Sequence, residues 1–133
     1  MNRLPENGEI LLQRAADDGR MVRDLLRAGS PAWGAAFHAQ QCVEKAIKAV
    51  LSRHSVLFPR THDLETLVEL LRQNRITLPP DAEDLSQLTP FGAVLRYGAD
   101  PGEAEAVPDS QWLLDAVQRS LEWAQRSEPG KPK

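Results

Sequence analysis

Residues 36–51, AFHAQQCVEKAIKAVL, decide the fold of this chain. At about 100° per residue, Ala36, Ala39, Val43, Ala46, Ile47 and Val50 fall on one side of a helix. Gln41, Glu44, Lys45, Lys48 and Ser52 gather within roughly 100° on the other side. The flank of small residues lets a neighbouring helix approach closely. The polar flank holds a carboxylate, two ammonium groups and a carboxamide in one short strip, which is either a solvated surface or a grip for an anion. The expectation is one continuous rod over residues 31–53, with its alanine-rich flank tucked inward and its lysines presented outward.

Upstream, Leu11, Ala15, Val22 and Leu25 recur at helical spacing, interrupted only by Asp18, up to Gly29 in a C-cap position. Ser30 and Pro31 then supply an N-cap and a first-turn proline for the next helix. Two long helices joined this tightly are expected to be antiparallel. Downstream, residues 54–61 contain Pro59 and break the periodicity. Thr61 is expected to cap a third helix, in which Leu64, Leu67, Val68 and Leu71 match the i, i+3, i+4, i+7 template. Asp63 and Glu65 suit its positive end. Beyond Pro79 and Pro80, residues 81–97 read as one or two short helices broken at Thr89 and Pro90. Residues 98–108 read as a loop, and residues 109–126 as a last helix with Leu113, Val117, Leu121 and Ala124 on one face. No period-two pattern marks a strand. The expected fold is all-α, an antiparallel bundle of four main helices with one or two short extra helices. It forms one domain over residues 1–126, followed by a disordered tail over residues 127–133.

A chain of 133 residues is the size of one domain with one buried core. Its 16 Lys+Arg against 19 Asp+Glu give a net charge of −3, which argues against a broad basic surface tracking nucleic acid and leaves only a local basic patch. Cys42 is the sole cysteine, so no intrachain disulfide forms, which suits a reducing cytoplasm. No apolar run approaches the roughly 18 residues of a spanning helix, and the first ten residues do not read as an export signal. The expected location is cytoplasmic.

Metal and acyl-transfer chemistry have no visible machinery. Di-iron bundles use Glu-x-x-His, yet Ala35, Leu51 and Pro59 stand three residues before the three histidines. The chain has no H-E-x-x-H, no paired cysteine ligands, no G-x-x-x-x-G-K loop and no G-x-S-x-G elbow. No cofactor is expected.

Residues 36–51, followed by FPRTHDLETLVELL at residues 58–71, resemble the HEPN domain family, and the resemblance extends from about Glu9 to Ala124. The family's Q-x-x-E-K-x-x-K pattern is met by Gln41, Glu44, Lys45 and Lys48, its H-D-L by His62, Asp63 and Leu64, and its later R-Y by Arg96 and Tyr97. Gly98 stands where the family more often has proline. The resemblance implies a helical bundle, frequently a homodimer, often encoded beside a minimal nucleotidyltransferase. Nucleotide binding has been proposed for some members, and others are ribonucleases, including toxins of toxin–antitoxin pairs.

The ribonuclease branch carries an arginine separated from a histidine by four to six residues, a pair suited to proton transfer and to stabilising a pentavalent phosphate. The corresponding positions here are Pro31, Ala32 and Trp33 before His38; Ile47, Lys48 and Ala49 before His54; and Ser55, Val56 and Leu57 before His62. None is arginine, so no catalytic residue is assigned, and a ribonuclease toxin with a degenerate site is the alternative reading. If the polar strip binds a phosphate or nucleotide, Lys45 and Lys48 contact it as point charges and Arg60 or Arg96 forks onto two oxygens. His62 then adds a donor beside Asp63 at the start of the third helix, Glu44 orients the lysines with Gln41 beside them, and Tyr97 lies near. The bland readings are a helix-supporting pair for Glu44 and Lys48, a loop-organising role for His62 and Asp63, packing for Tyr97 and solvent for Arg60. Cys42 and His38 read as a small buried residue and a surface ring. The preferred function is a non-catalytic accessory protein that dimerises and partners a minimal nucleotidyltransferase.

Overall fold

The computed structural model of the protein describes residues 7–92 and 107–127. They form helices joined by turns and irregular connections, with no strand among them: α1 (Gly8–Ala28), α2 (Ala32–Arg53), α3 (Leu64–Gln73), a 3₁₀ helix (Ala82–Gly92) and α4 (Ser110–Arg126). The expected R-Y pair Arg96 and Tyr97, Gly98, most of the loop at residues 98–108 and the tail from residue 128 lie outside the described residues.

Helix α2 is unbroken over 22 residues and runs through the core. Ala36, Ala39, Val43, Ala46, Ile47 and Val50 are fully buried, as the alanine-rich flank requires. Its most extensive packing is against α1, followed by α4 and the 3₁₀ helix. The register with α1 is antiparallel: Glu9 pairs with Arg53 at 3.1 Å and Asp18 with Lys45 at 2.7 Å, while Leu25 lies beside Gly34. Small side chains along α2 permit this approach, and interaxial distance follows the side chains at the contact. No helix among the described residues is long and apolar enough to cross a membrane.

Helix ends depart from the sequence expectation in instructive ways. Ser30 does not cap α2; Pro31 occupies the cap position without a side-chain bond. Ser30 is committed upstream, because its N–H donates to Leu25 C=O at 3.0 Å and closes α1 beyond Gly29, whose φ is 73°. Likewise Thr61 does not cap α3. Asp63 does, its Oδ1 accepting from Glu65 N–H at 3.1 Å, while Thr61 Oγ1 accepts from Asp63 N–H at 3.0 Å. The expected break at Thr89 and Pro90 is absent, and the 3₁₀ helix continues through Pro90 to Gly92. A proline at φ near −65° fits 3₁₀ dihedrals and removes one donor only. Thr89 meanwhile accepts the Leu64 N–H at 3.2 Å, tethering this segment to the start of α3. The last helix begins one residue later than expected, with Asp109 as its cap accepting from Gln111 N–H at 3.0 Å.

Helices α2 and α3 finish in the same 6→1 and 5→2 hydrogen-bond pattern as α1. Val56 N–H donates to Leu51 C=O at 2.9 Å and Ile76 N–H to Leu71 C=O at 3.0 Å. The left-handed position of that motif holds Gly29 in α1, but Ser55 (φ 60°) in α2 and Arg75 (φ 58°) in α3.

Candidate functional site

The polar strip of α2 is folded in rather than presented outward. Glu44 is only 4% exposed, and its two oxygens accept from three neighbours. Lys48 Nζ donates to Oε2 at 2.8 Å; Gln40 Nε2 and His62 Nδ1 each lie 2.9 Å from Oε1. A carboxylate taken out of water needs such partners, since an unpaired buried charge is costly. Burial by itself raises the Glu44 carboxyl pKa, but the hydrogen bonds from Lys48, His62 and Gln40 outweigh it and hold the group below its ordinary 4.5.

Gln40 is the keystone of this network. Fully buried, it donates from Nε2 to Glu44 and to His62 C=O at 3.0 Å, and its Oε1 accepts from Gln41 Nε2 at 2.7 Å. The backbone of Gly92 lies against its amide, and a Cβ at that position would sit 2.8 Å from Gln40 Cδ. The end of the 3₁₀ helix therefore clamps the carboxamide. Lys48 Nζ is also 5.5 Å above the Phe58 ring, within cation–π range.

Lys45 goes elsewhere. Its Nζ donates to Asp18 Oδ2 of α1 at 2.7 Å, and His38 Nδ1 lies 2.9 Å from Asp18 Oδ1. Two constellations of the same composition thus flank α2, each a buried carboxylate whose oxygens are divided between an ammonium and an imidazole Nδ1. Beside them Cys42 is fully buried, and burial, then the Asp18 charge, pushes its thiol pKa far up.

The structure brings Gln41, Glu44, Lys48 and His62 together through Gln40, and it sends Lys45 to the other constellation. Asp63 is a helix cap, and Arg60 is exposed on the connection between α2 and α3. His38, read as a surface ring, is a partner of a buried carboxylate. Asp18 and Gln40 were missed by sequence reasoning. Asp18 carried a signal, since a carboxylate at a core register position of α1 must find a cation or donor. Gln40 lies among the buried alanines of α2, and only the fold brings Gly92 and His62 to it. Among the described residues no group of three or more His, Cys, Asp or Glu is placed to hold a metal ion.

No curated relative and no solved structure matches the chain significantly. A family model described as the HEPN domain matches residues 9–127, a span that includes all four α-helices except the first residue of α1, together with both constellations. The protein therefore belongs to the HEPN domain family.

Proposed function

We propose that this chain is a non-catalytic HEPN accessory protein, a homodimer that partners a minimal nucleotidyltransferase. The observation that supports it is the closure of the α2 strip. Asp18 and Glu44 balance Lys45 and Lys48, so with neutral histidines the two constellations carry no net charge. A phosphate ligand bound there would have to displace a carboxylate from each lysine, against hydrogen bonds of 2.7 and 2.8 Å. Lysines held in this way rigidify the helix that the rest of the domain packs on, which suits a scaffold for another protein. Ile10 and Met21, exposed by 48% and 44% and three helical turns apart on α1, add apolar surface on the outside of that scaffold.

Size-exclusion chromatography with light scattering tests the assembly. The expected mass is twice 14.8 kDa for the chain alone, rising by the partner's mass on co-expression with the nucleotidyltransferase encoded nearest to it. A monomer that forms no complex overturns the proposal. The nucleotide variant of the reading is checked in parallel: ATP or GTP binding that Lys48→Ala abolishes would move the function to the strip.

A further inference from the structure

At the C-terminal ends of α2, α3 and α4 lies a cavity of about 420 Å³ whose lining is basic. His54, Arg75 and Arg126 line it, with Thr77, Trp123 and Ser127 between them, and no acidic residue lines it among the described residues. Its volume falls within the range of small-ligand sites.

These arginines differ from the others around them. Arg72 is paired with Glu69 at 2.6 Å, and Arg53 donates from NH1 to Ala124 C=O and Ser127 C=O at 2.9 and 2.8 Å. The last carbonyls of α4 are therefore answered by Arg53, and those of α3 by its own turn and by Asn74 Nδ2 on Leu70 C=O at 2.8 Å. Arg75 and Arg126 make no ion pair or side-chain hydrogen bond among the described residues, although Glu122 stands one turn before Arg126. Glu122 accepts from Gln118 instead. His54 is likewise unbonded at its ring. Below them the floor is rigid, because Trp123 is 6% exposed and its Nε1 donates to Thr77 C=O at 2.9 Å.

Arg75 sits where stability alone favours glycine. It occupies the left-handed position that ends α3, at φ 58°, a position that holds Gly29 in α1 and Ser55 in α2.

We propose that this cavity binds a phosphate-bearing small molecule, with Arg75 and Arg126 forking onto phosphate oxygens and His54 donating a third hydrogen bond. Guanidinium donors are matched to phosphate in charge and in planar geometry. The site is separate from the α2 strip and does not depend on any partner protein.

Calorimetric titration of the full chain with sodium pyrophosphate, and with ATP in a second arm, tests this. Pyrophosphate is expected to bind, more weakly as salt is raised. Arg126→Gln and Arg75→Gly are each expected to weaken binding about tenfold or more. Arg20→Gln, on the outer face of α1, serves as the control and leaves it unchanged. Arg75→Gly also relieves the left-handed backbone, so its melting temperature rises while its affinity falls, a combination that misfolding does not produce. Tighter binding of ATP than pyrophosphate assigns the ligand as a nucleotide; equal binding assigns it as the phosphate group alone. Failure of wild-type protein to bind either ligand overturns the proposal, as does wild-type affinity in both arginine variants.

Discussion

Replacing Glu44 with glutamine keeps the shape of the side chain and removes its charge, which makes it a sharp probe of the ionic network. The carboxylate accepts from Gln40 and His62 on one oxygen and from Lys48 on the other. A glutamine amide has one oxygen. If that oxygen faces Gln40 and His62, the NH₂ group is turned on the Lys48 ammonium; if it faces Lys48, the NH₂ group meets the Gln40 donor. Either way a donor opposes a donor where Glu44 is 4% exposed. Removing one partner of a buried pair costs about 3–5 kcal/mol. Lys48 keeps 14% side-chain exposure, so its ammonium can reach water and the lower end applies, about 3 kcal/mol. For a chain of this length that lowers the melting temperature by about 12 °C. Urea titration followed by circular dichroism measures it directly. The double variant Glu44→Leu/Lys48→Met, which removes both charges together, is expected to lie within about 1–2 kcal/mol of wild type. A Glu44→Gln protein within about 1 kcal/mol of wild type would refute the network as a source of stability.

Acid should act through the same residue. A carboxyl whose folded pKa lies below its ordinary 4.5 contributes stability that is fully present above that value and lost as pH falls through the folded value. With Lys48 and His62 facing the carboxylate, wild type is expected to lose stability below pH 4.5 more steeply than Glu44→Leu/Lys48→Met, as urea midpoints across that range will show. Gly92→Ala places a methyl 2.8–3.0 Å from three atoms of the Gln40 amide and is expected to cost about 1–3 kcal/mol in urea denaturation; an unchanged midpoint would mean the clamp is loose. Cys42, buried and with its thiol pKa far above the usual range, is expected to resist a thiol-specific disulfide reagent in the native protein and to react fully in urea. Rapid labelling of the native chain would show that α1 opens from α2.

The placement of the helices was legible because it depends on local periodicity. Apolar residues three and four apart in residues 36–51 put a fixed face of α2 inward whatever packs on it, and Gly29, with no Cβ, marked the end of α1. Capping was less legible. Ser30, Thr61 and Asp63 are all competent caps, and the choice among them turned on which N–H groups neighbouring turns had already used. Pro90 misled because a proline that breaks an α-helix is compatible with a 3₁₀ turn.

The sequence by itself determined an all-helical chain with α2 at its centre and one polar strip along it, since helical spacing is a property of neighbours along the chain. Only the tertiary structure decided where the charges of that strip went. Lys45 and Lys48 are one turn apart on one helix, yet one ends on Asp18, 27 residues away in sequence, and the other on Glu44. Buried carboxylates claim whichever cations the packing brings within reach, and Asp18, His38, Lys45 and His62 meet their partners across 18 or more residues of chain. The same holds for the basic cavity, where three helix ends far apart in sequence place Arg75 and Arg126 around one space whose lining, among the described residues, holds no carboxylate.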